Sequence, residues 1–138
     1  MSGSVKVRVN LAGLDRSEKL MRRASHDLLG QVGRRVVQEG QRNAPYQTGA
    51  LRADIQVRRR TTKSLVVGTR QVKYAAIHEY GGVIRPKRYE YLHFKVNGQW
   101  VKTKRAHIRA KRYLGRAAET VQGEVDNIAR RVFKKYGF

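Results

Sequence analysis

The sequence predicts an α+β domain: a long N-terminal amphipathic helix and a C-terminal helix packed on a small antiparallel sheet, with an additional basic β-hairpin. Three observations carry this. Apolar residues recur at three- and four-residue steps from Leu20 to Val37, the period of a helix with one buried face. They alternate singly at Val5, Val7 and Val9 and again from Leu51 to Val57, the period of a half-buried strand. Asn97-Gly98 lies between two β-rich runs, the strongest short-range signal for a tight hairpin.

Taken in order, Val5, Val7 and Val9 against Lys6, Arg8 and Asn10 predict a short first strand. After the break at Gly13, Asp15 or Ser17 can cap a helix carrying Leu20, Met21, Ala24, Leu28, Leu29, Val32, Val36 and Val37. This helix is expected to run to about Gln41. Gly30 and Gly33 lie inside it and weaken it by about 1 kcal/mol each relative to Ala, which points to a closely packed neighbour. Pro45 cannot continue a helix, and Thr48-Gly49 supplies a turn. Leu51, Ala53, Ile55 and Val57 then alternate with Arg52, Asp54, Gln56 and Arg58. That pattern predicts a strand starting at Leu51, with Ser64 to Thr69 as its hairpin partner across the polar turn Arg59 to Lys63. Tyr74 to Tyr80, closed by Gly81-Gly82, fits either a short helical turn or an extended segment.

A two-residue type I′ loop at Asn97-Gly98 pairs Val96 with Gln99, which sets Lys95 opposite Trp100, His93 opposite Lys102 and Tyr91 opposite Lys104. One face of the ribbon is then Tyr91, His93, Lys95, Trp100, Lys102 and Lys104, basic and aromatic. Its other face is Leu92, Phe94, Val96, Gln99, Val101 and Thr103, mostly apolar. The last element is predicted as one helix from about Leu114 to Lys135, with Ala117, Val121, Val125, Ile128 and Val132 on one stripe and Phe133 beside it. Lys134 and Lys135 suit the negative end of its dipole.

With 138 residues, 40% of them hydrophobic, the chain can bury one core, so a single domain spanning 1–138 is expected, with the basic hairpin inserted at about 87–109. No apolar run is long enough to cross a bilayer and the first residues lack a secretory apolar stretch, so a soluble protein acting where it is made is expected, with no membrane partner. Zero cysteines exclude disulfides, thiolate metal sites and cysteine nucleophiles. Lys and Arg number 31 against 10 Asp and Glu, a net charge of +21, which calls for a polyanionic partner or an acidic protein neighbour. The charge concentrates in the middle: Arg85 to Arg116 holds eleven Lys and Arg with one acid, Glu90, whereas Ala117 to Phe138 holds four against three.

Materials for catalysis are thin. His26, His78, His93 and His107 form no metal-binding pair, and the ten acids are dispersed. Neither a metal nor a cofactor is expected, and no catalytic residue is assigned. The enzyme class that survives is a small metal-independent ribonuclease toxin, with Tyr91, His93, Lys95 and Arg105 cast in its roles.

Three strings stand in one order: Ala44-Pro45-x-x-Thr48-Gly49-x-Leu51-Arg52, Tyr74-Ala75-x-x-x-Glu79-x-Gly81 and Arg112-Tyr113-Leu114-Gly115-Arg116-Ala117. Together they resemble the tail-completion, or head-tail joining, family of long-tailed bacteriophages, over roughly Leu20 to Ala118. The resemblance implies a structural virion protein at the head-tail junction, assembled in the host cytoplasm as a homo-oligomeric ring of six- or twelve-fold symmetry. Its implied partners are the head connector or adaptor and the tail terminator or tail-tube proteins, with DNA in the channel a further contact. Asp54 departs from the small hydroxyl residue more usual in the family, Tyr113 from the commoner Phe, and the hairpin region is longer and more basic.

Each string also has a physical reading. Pro45 and Gly49 set the bend between helix and sheet, Leu51 and Ile55 begin a buried face, Tyr74 and Ala75 are packing positions, and Glu79 can pair with Arg52 or another arginine. The candidate contact surface is Tyr91, His93, Lys95, Trp100, Lys102, Lys104, Arg105 and Arg109. It fits docking on an acidic protein patch, base stacking with phosphate contact in a nucleic-acid-binding module, or a solvated ribbon whose rings brace lysine stems. Arg58-Arg59-Arg60 and the stretch from Arg105 to Arg112 fit either a DNA-lining surface or a solvated one.

Overall fold

A computed structural model describes residues 3–8, 18–45, 49–72, 74–96 and 98–138. The expected break at Gly13, the caps Asp15 and Ser17, and Val9, Thr48 and Asn97 lie outside them. The chain runs β1 (Ser4–Arg8), α1 (Glu18–Asn43), α2 (Ala50–Asp54), β2 (Gln56–Arg60), β3 (Ser64–Gly68), α3 (Ala75–Tyr80), β4 (Gly82–Ile84), β5 (Leu92–Val96), β6 (Gln99–Thr103), β7 (Ala106–Ile108), α4 (Tyr113–Gln122) and α5 (Val125–Lys135). This is the expected α+β architecture, with the second, undecided segment resolved as the short helix α3.

The main sheet is antiparallel, in the order β1-β3-β2. Leu65 and Val67 of the central strand are buried; Val7 and Val5 of β1 face them in register. A bulge between Val57 and Arg59 leaves Arg58 out of the β2 ladder, and its guanidinium turns back to Asp54 and to the Gly68 carbonyl. Helix α1 lays Ala24, Leu28, Leu29, Val32 and Val36 on this sheet and on α4. Its glycines are contact points. A Cβ on Gly33 would sit 3.2 Å from both Leu65 and Val57, and one on Gly40 would sit 3.1 Å from Leu114, so any larger side chain pushes the layers apart.

Two expectations are corrected. Residues 51–54 are helical rather than the start of a strand: Leu51, Asp54 and Ile55 are buried while Ala53 is exposed, which is a helical spacing. Gly49, at φ 84°, starts this turn and accepts the Ala53 amide at 3.0 Å. Gln41 of α1 then donates to the Arg52 carbonyl at 3.0 Å. The strand begins only at Gln56, and Val57, assigned to the buried face, is 40% exposed. The C-terminal helix is also two helices. It breaks at Gly123 and Glu124, where the Glu124 carboxylate takes two hydrogen bonds from Arg35 of α1, at 3.0 and 2.9 Å. The stripe nevertheless continues across the break, with Ala117, Val121, Ile128 and Val132 all buried.

Candidate functional site

The motif residues build a joint. In the first string Ala44 and Leu51 are buried, Pro45 is half-buried just past the end of α1, and Arg52 donates through Nη2 to the Ala44 carbonyl at 3.5 Å. In the second, Ala75 is fully buried, but Tyr74, expected to pack, is 63% exposed because it precedes α3 on the solvent side. Gly81, at φ 75°, lies so close to Ile108 and Ala110 that a Cβ would meet the Ala110 amide nitrogen at 2.9 Å.

Glu79 does not pair with Arg52. Its buried carboxylate takes the amide protons of Leu114 and Gly115, each at 2.8 Å. Those amides open α4, where no local side chain caps the helix, so α3 supplies the anion that the helix terminus needs. Around it, the Lys111 amide donates to the His78 carbonyl at 2.7 Å, the Arg112 amide to the Glu79 carbonyl at 3.2 Å, and the Tyr113 hydroxyl to the Ala75 carbonyl at 2.9 Å. Burial pushes the Tyr113 hydroxyl well above the ordinary tyrosine range, and the nearby Glu79 charge adds to this. Asn43 of α1 closes the joint with a 3.4 Å bond to the Tyr113 carbonyl.

Asp54, the departure from the family pattern, anchors the loop after β3. Its Oδ2 accepts the amides of Arg70, Gln71 and Val72, each at 2.9 Å, and Oδ1 accepts from Arg58 at 2.8 Å. Burial opposes its charge, but the amides of Val72, Gln71 and Arg70, with Arg58 beside them, outweigh that and hold its pKa below the ordinary carboxyl value. Nothing in the sequence pattern marked this role.

The hairpin stands apart from the joint. β5 and β6 form their own two-stranded sheet, in the predicted register: Val96 with Gln99, Lys95 with Trp100 and His93 with Lys102. None of its described side chains belongs to the core cluster. His93, Lys95, Trp100, Lys102 and Lys104 are exposed, Trp100 at 71%, while Leu92, Phe94, Val101 and Thr103 on the opposite face are half-buried. The Lys95 ammonium lies 5.2 Å from the Trp100 ring centre; those of Lys102 and Lys104 lie 4.5 and 5.8 Å from that of Tyr91. Each such contact contributes about 0.5–1 kcal/mol at an exposed site, enough to bias the lysines toward the rings. A shallow cleft of about 720 Å³, lined by Arg85, Lys87, Tyr89, Tyr91 and His93, continues the row.

Arg105 follows the Thr103 hydroxyl turn, which receives the Arg105 amide at 3.4 Å, and Arg109 follows β7. Both are exposed. β7 pairs with β4, fastening the hairpin base beside α3. Among the described residues no group of three His, Asp or Glu side chains gathers as metal ligands, and no helix is long and apolar enough to cross a membrane.

A family model described as "Bacteriophage HK97-gp10, putative tail-component" matches residues 11–81, a little over half of the chain. The match takes in the first two strings and ends at Gly81, before the hairpin and the third string. Neither a search of curated proteins nor one of solved structures gives a match. The chain belongs to the HK97-gp10-like family of bacteriophage tail components.

Proposed function

We propose that the chain is a non-catalytic structural subunit of the phage neck or tail-completion type, which closes into a homo-oligomeric ring at the head-tail junction. The joint of α1, α3 and α4 forms the rigid body, and the face carrying Lys95, Trp100, Lys102 and Lys104 docks on an acidic surface of a neighbouring virion protein, a head connector or a tail terminator. The observation that carries this reading is the row of cations braced on Tyr91 and Trp100, fully outside the core. Because these ring faces already carry ammonium groups, the ribbon favours docking on carboxylates over base stacking. A ring follows when one patch meets a different patch of the next copy by a rotation that closes.

The test is charge reversal by Lys95→Glu, Lys102→Glu and Lys104→Glu. The variant is expected to keep the wild-type circular dichroism spectrum while tails fail to join filled heads. Normal yields of complete virions would remove the hairpin from the mechanism. Electron microscopy of the assembled neck decides the ring, and a single copy per junction would refute it.

A further inference from the structure

A second basic feature lies where α1 meets the turn between β2 and β3. Arg22, His26, Gly30 and Arg34 follow one another at four-residue steps on one face of α1, a line about 18 Å long. With Arg23 and Arg60 they border a cleft of about 570 Å³. Arg60 crosses the helix at Gly30, where a Cβ would stand 3.1 Å from its Nη1 and a longer side chain would occupy its place. Ser25, buried in α1, donates to the Thr62 carbonyl at 2.5 Å and ties the helix to the turn that follows Arg60.

None of Arg22, Arg23, Arg34 and Arg60 ion-pairs with a described residue. Asp27, the one acid among the described residues that line the cleft, is already engaged by Gln31 and by Lys135, each at 3.1 Å. The cleft therefore offers unpaired guanidinium donors, while the charge of Asp27 is already met by Lys135. An acidic peptide brings backbone N–H donors that need acceptors; a phosphodiester backbone brings acceptors alone. We propose that this cleft binds the phosphate backbone of duplex nucleic acid, without regard to sequence and independently of the hairpin.

The experiment measures binding of a labelled random-sequence duplex DNA to the full chain across a salt series. Arg23→Gln, Arg34→Gln and Arg60→Gln together are compared with Lys95→Gln, Lys102→Gln and Lys104→Gln, which remove the same charge. The cleft variant is expected to bind at least about 10-fold more weakly and to lower the log-log salt slope by about 2.7, while the hairpin variant stays within about 3-fold of wild type. Gly30→Leu keeps the net charge and favours the helix, yet displaces Arg60, so binding is expected to fall about 5-fold with the fold intact. Equal losses in the two triple variants would overturn the proposal, as would wild-type binding by Gly30→Leu. So would tighter binding of polyglutamate than of the duplex, which would assign the cleft to an acidic protein. The virion assay of the hairpin is separate, so either reading can fail alone.

Discussion

Glu79 caps a helix from far along the chain: the amide of Leu114, 35 residues after it, donates to Glu79 Oε2 at 2.8 Å, with both groups buried. The neighbouring Gly115 amide meets the other oxygen at the same distance. One carboxylate thus ties the second string to the third, and Asn43, the last residue of α1, reaches the same place through the Tyr113 carbonyl. Replacing Glu79 by Ala leaves a buried and a part-buried amide without this partner, an expected loss of about 2–4 kcal/mol. Glu79→Gln keeps one acceptor oxygen and should lose about half as much. Thermal unfolding followed by circular dichroism orders the variants as wild type, Gln, Ala; an unchanged midpoint for Glu79→Ala would dismiss the cap.

Tyr113→Phe tests the same joint from its other side. It removes the hydroxyl that donates to the Ala75 carbonyl while keeping the buried ring. The expected loss is about 1 kcal/mol. A double variant with Glu79→Gln should lose less than the sum, because both bonds hold α3 to α4.

Asp54 makes acid stability a local question. Its folded pKa lies below the ordinary value of 3.8, so its contribution is fully present above that value and is lost as pH falls through the folded value. At neutral pH, Asp54→Asn should be less stable by about 1–3 kcal/mol. In urea unfolding at decreasing pH, the gap between the two proteins should begin to narrow below about pH 3.8 and close as pH falls through the folded value. A gap that stays constant into acid would show that charge plays no part in holding the loop of Arg70 to Val72.

The outcome at each element follows from how far apart its determinants lie. The hairpin register was legible because the Asn97-Gly98 signal predicts a local pairing, and no two partners are more than 11 residues apart. Leu51 and Ile55 misled because residues four apart share a face in a strand and in a helix alike. The deciding contacts come from Gly49 and from Gln41 on the preceding helix. The break at Gly123 was hidden because the apolar stripe keeps its step across it, while Arg35 and Glu124 are 89 residues apart. Arg22, His26, Gly30 and Arg34 show their common face in the sequence, but the arrival of Arg60 does not.

Gly49 tests the turn into α2. At φ 84° it occupies the left-handed region, where a side chain costs about 1–2 kcal/mol. Gly49→Ala should lower stability by about that amount, and Gly49→Val by more, since β-branching narrows the allowed backbone further. Chemical denaturation measures both. Equal stability of all three proteins would mean the turn adapts freely.

Trp100 separates folding from docking. It is 71% exposed and outside the core, so Trp100→Ala should change the unfolding free energy by no more than about 0.5–1 kcal/mol, the worth of its contact with Lys95. Docking should suffer more. An exposed aromatic at the centre of an interface is often one of the few residues whose truncation costs about 2 kcal/mol or more, and Lys95 also loses the ring that orients it. In competition between wild-type and Trp100→Ala protein during assembly, the variant should enter virions about 10-fold less well, a ratio that corresponds to about 1.4 kcal/mol. Raising salt should weaken incorporation of both proteins, because long-range attraction from the lysines is screened, but it should leave their ratio nearly unchanged. Equal incorporation at every salt concentration would show that the ring merely braces Lys95 and takes no part in the contact.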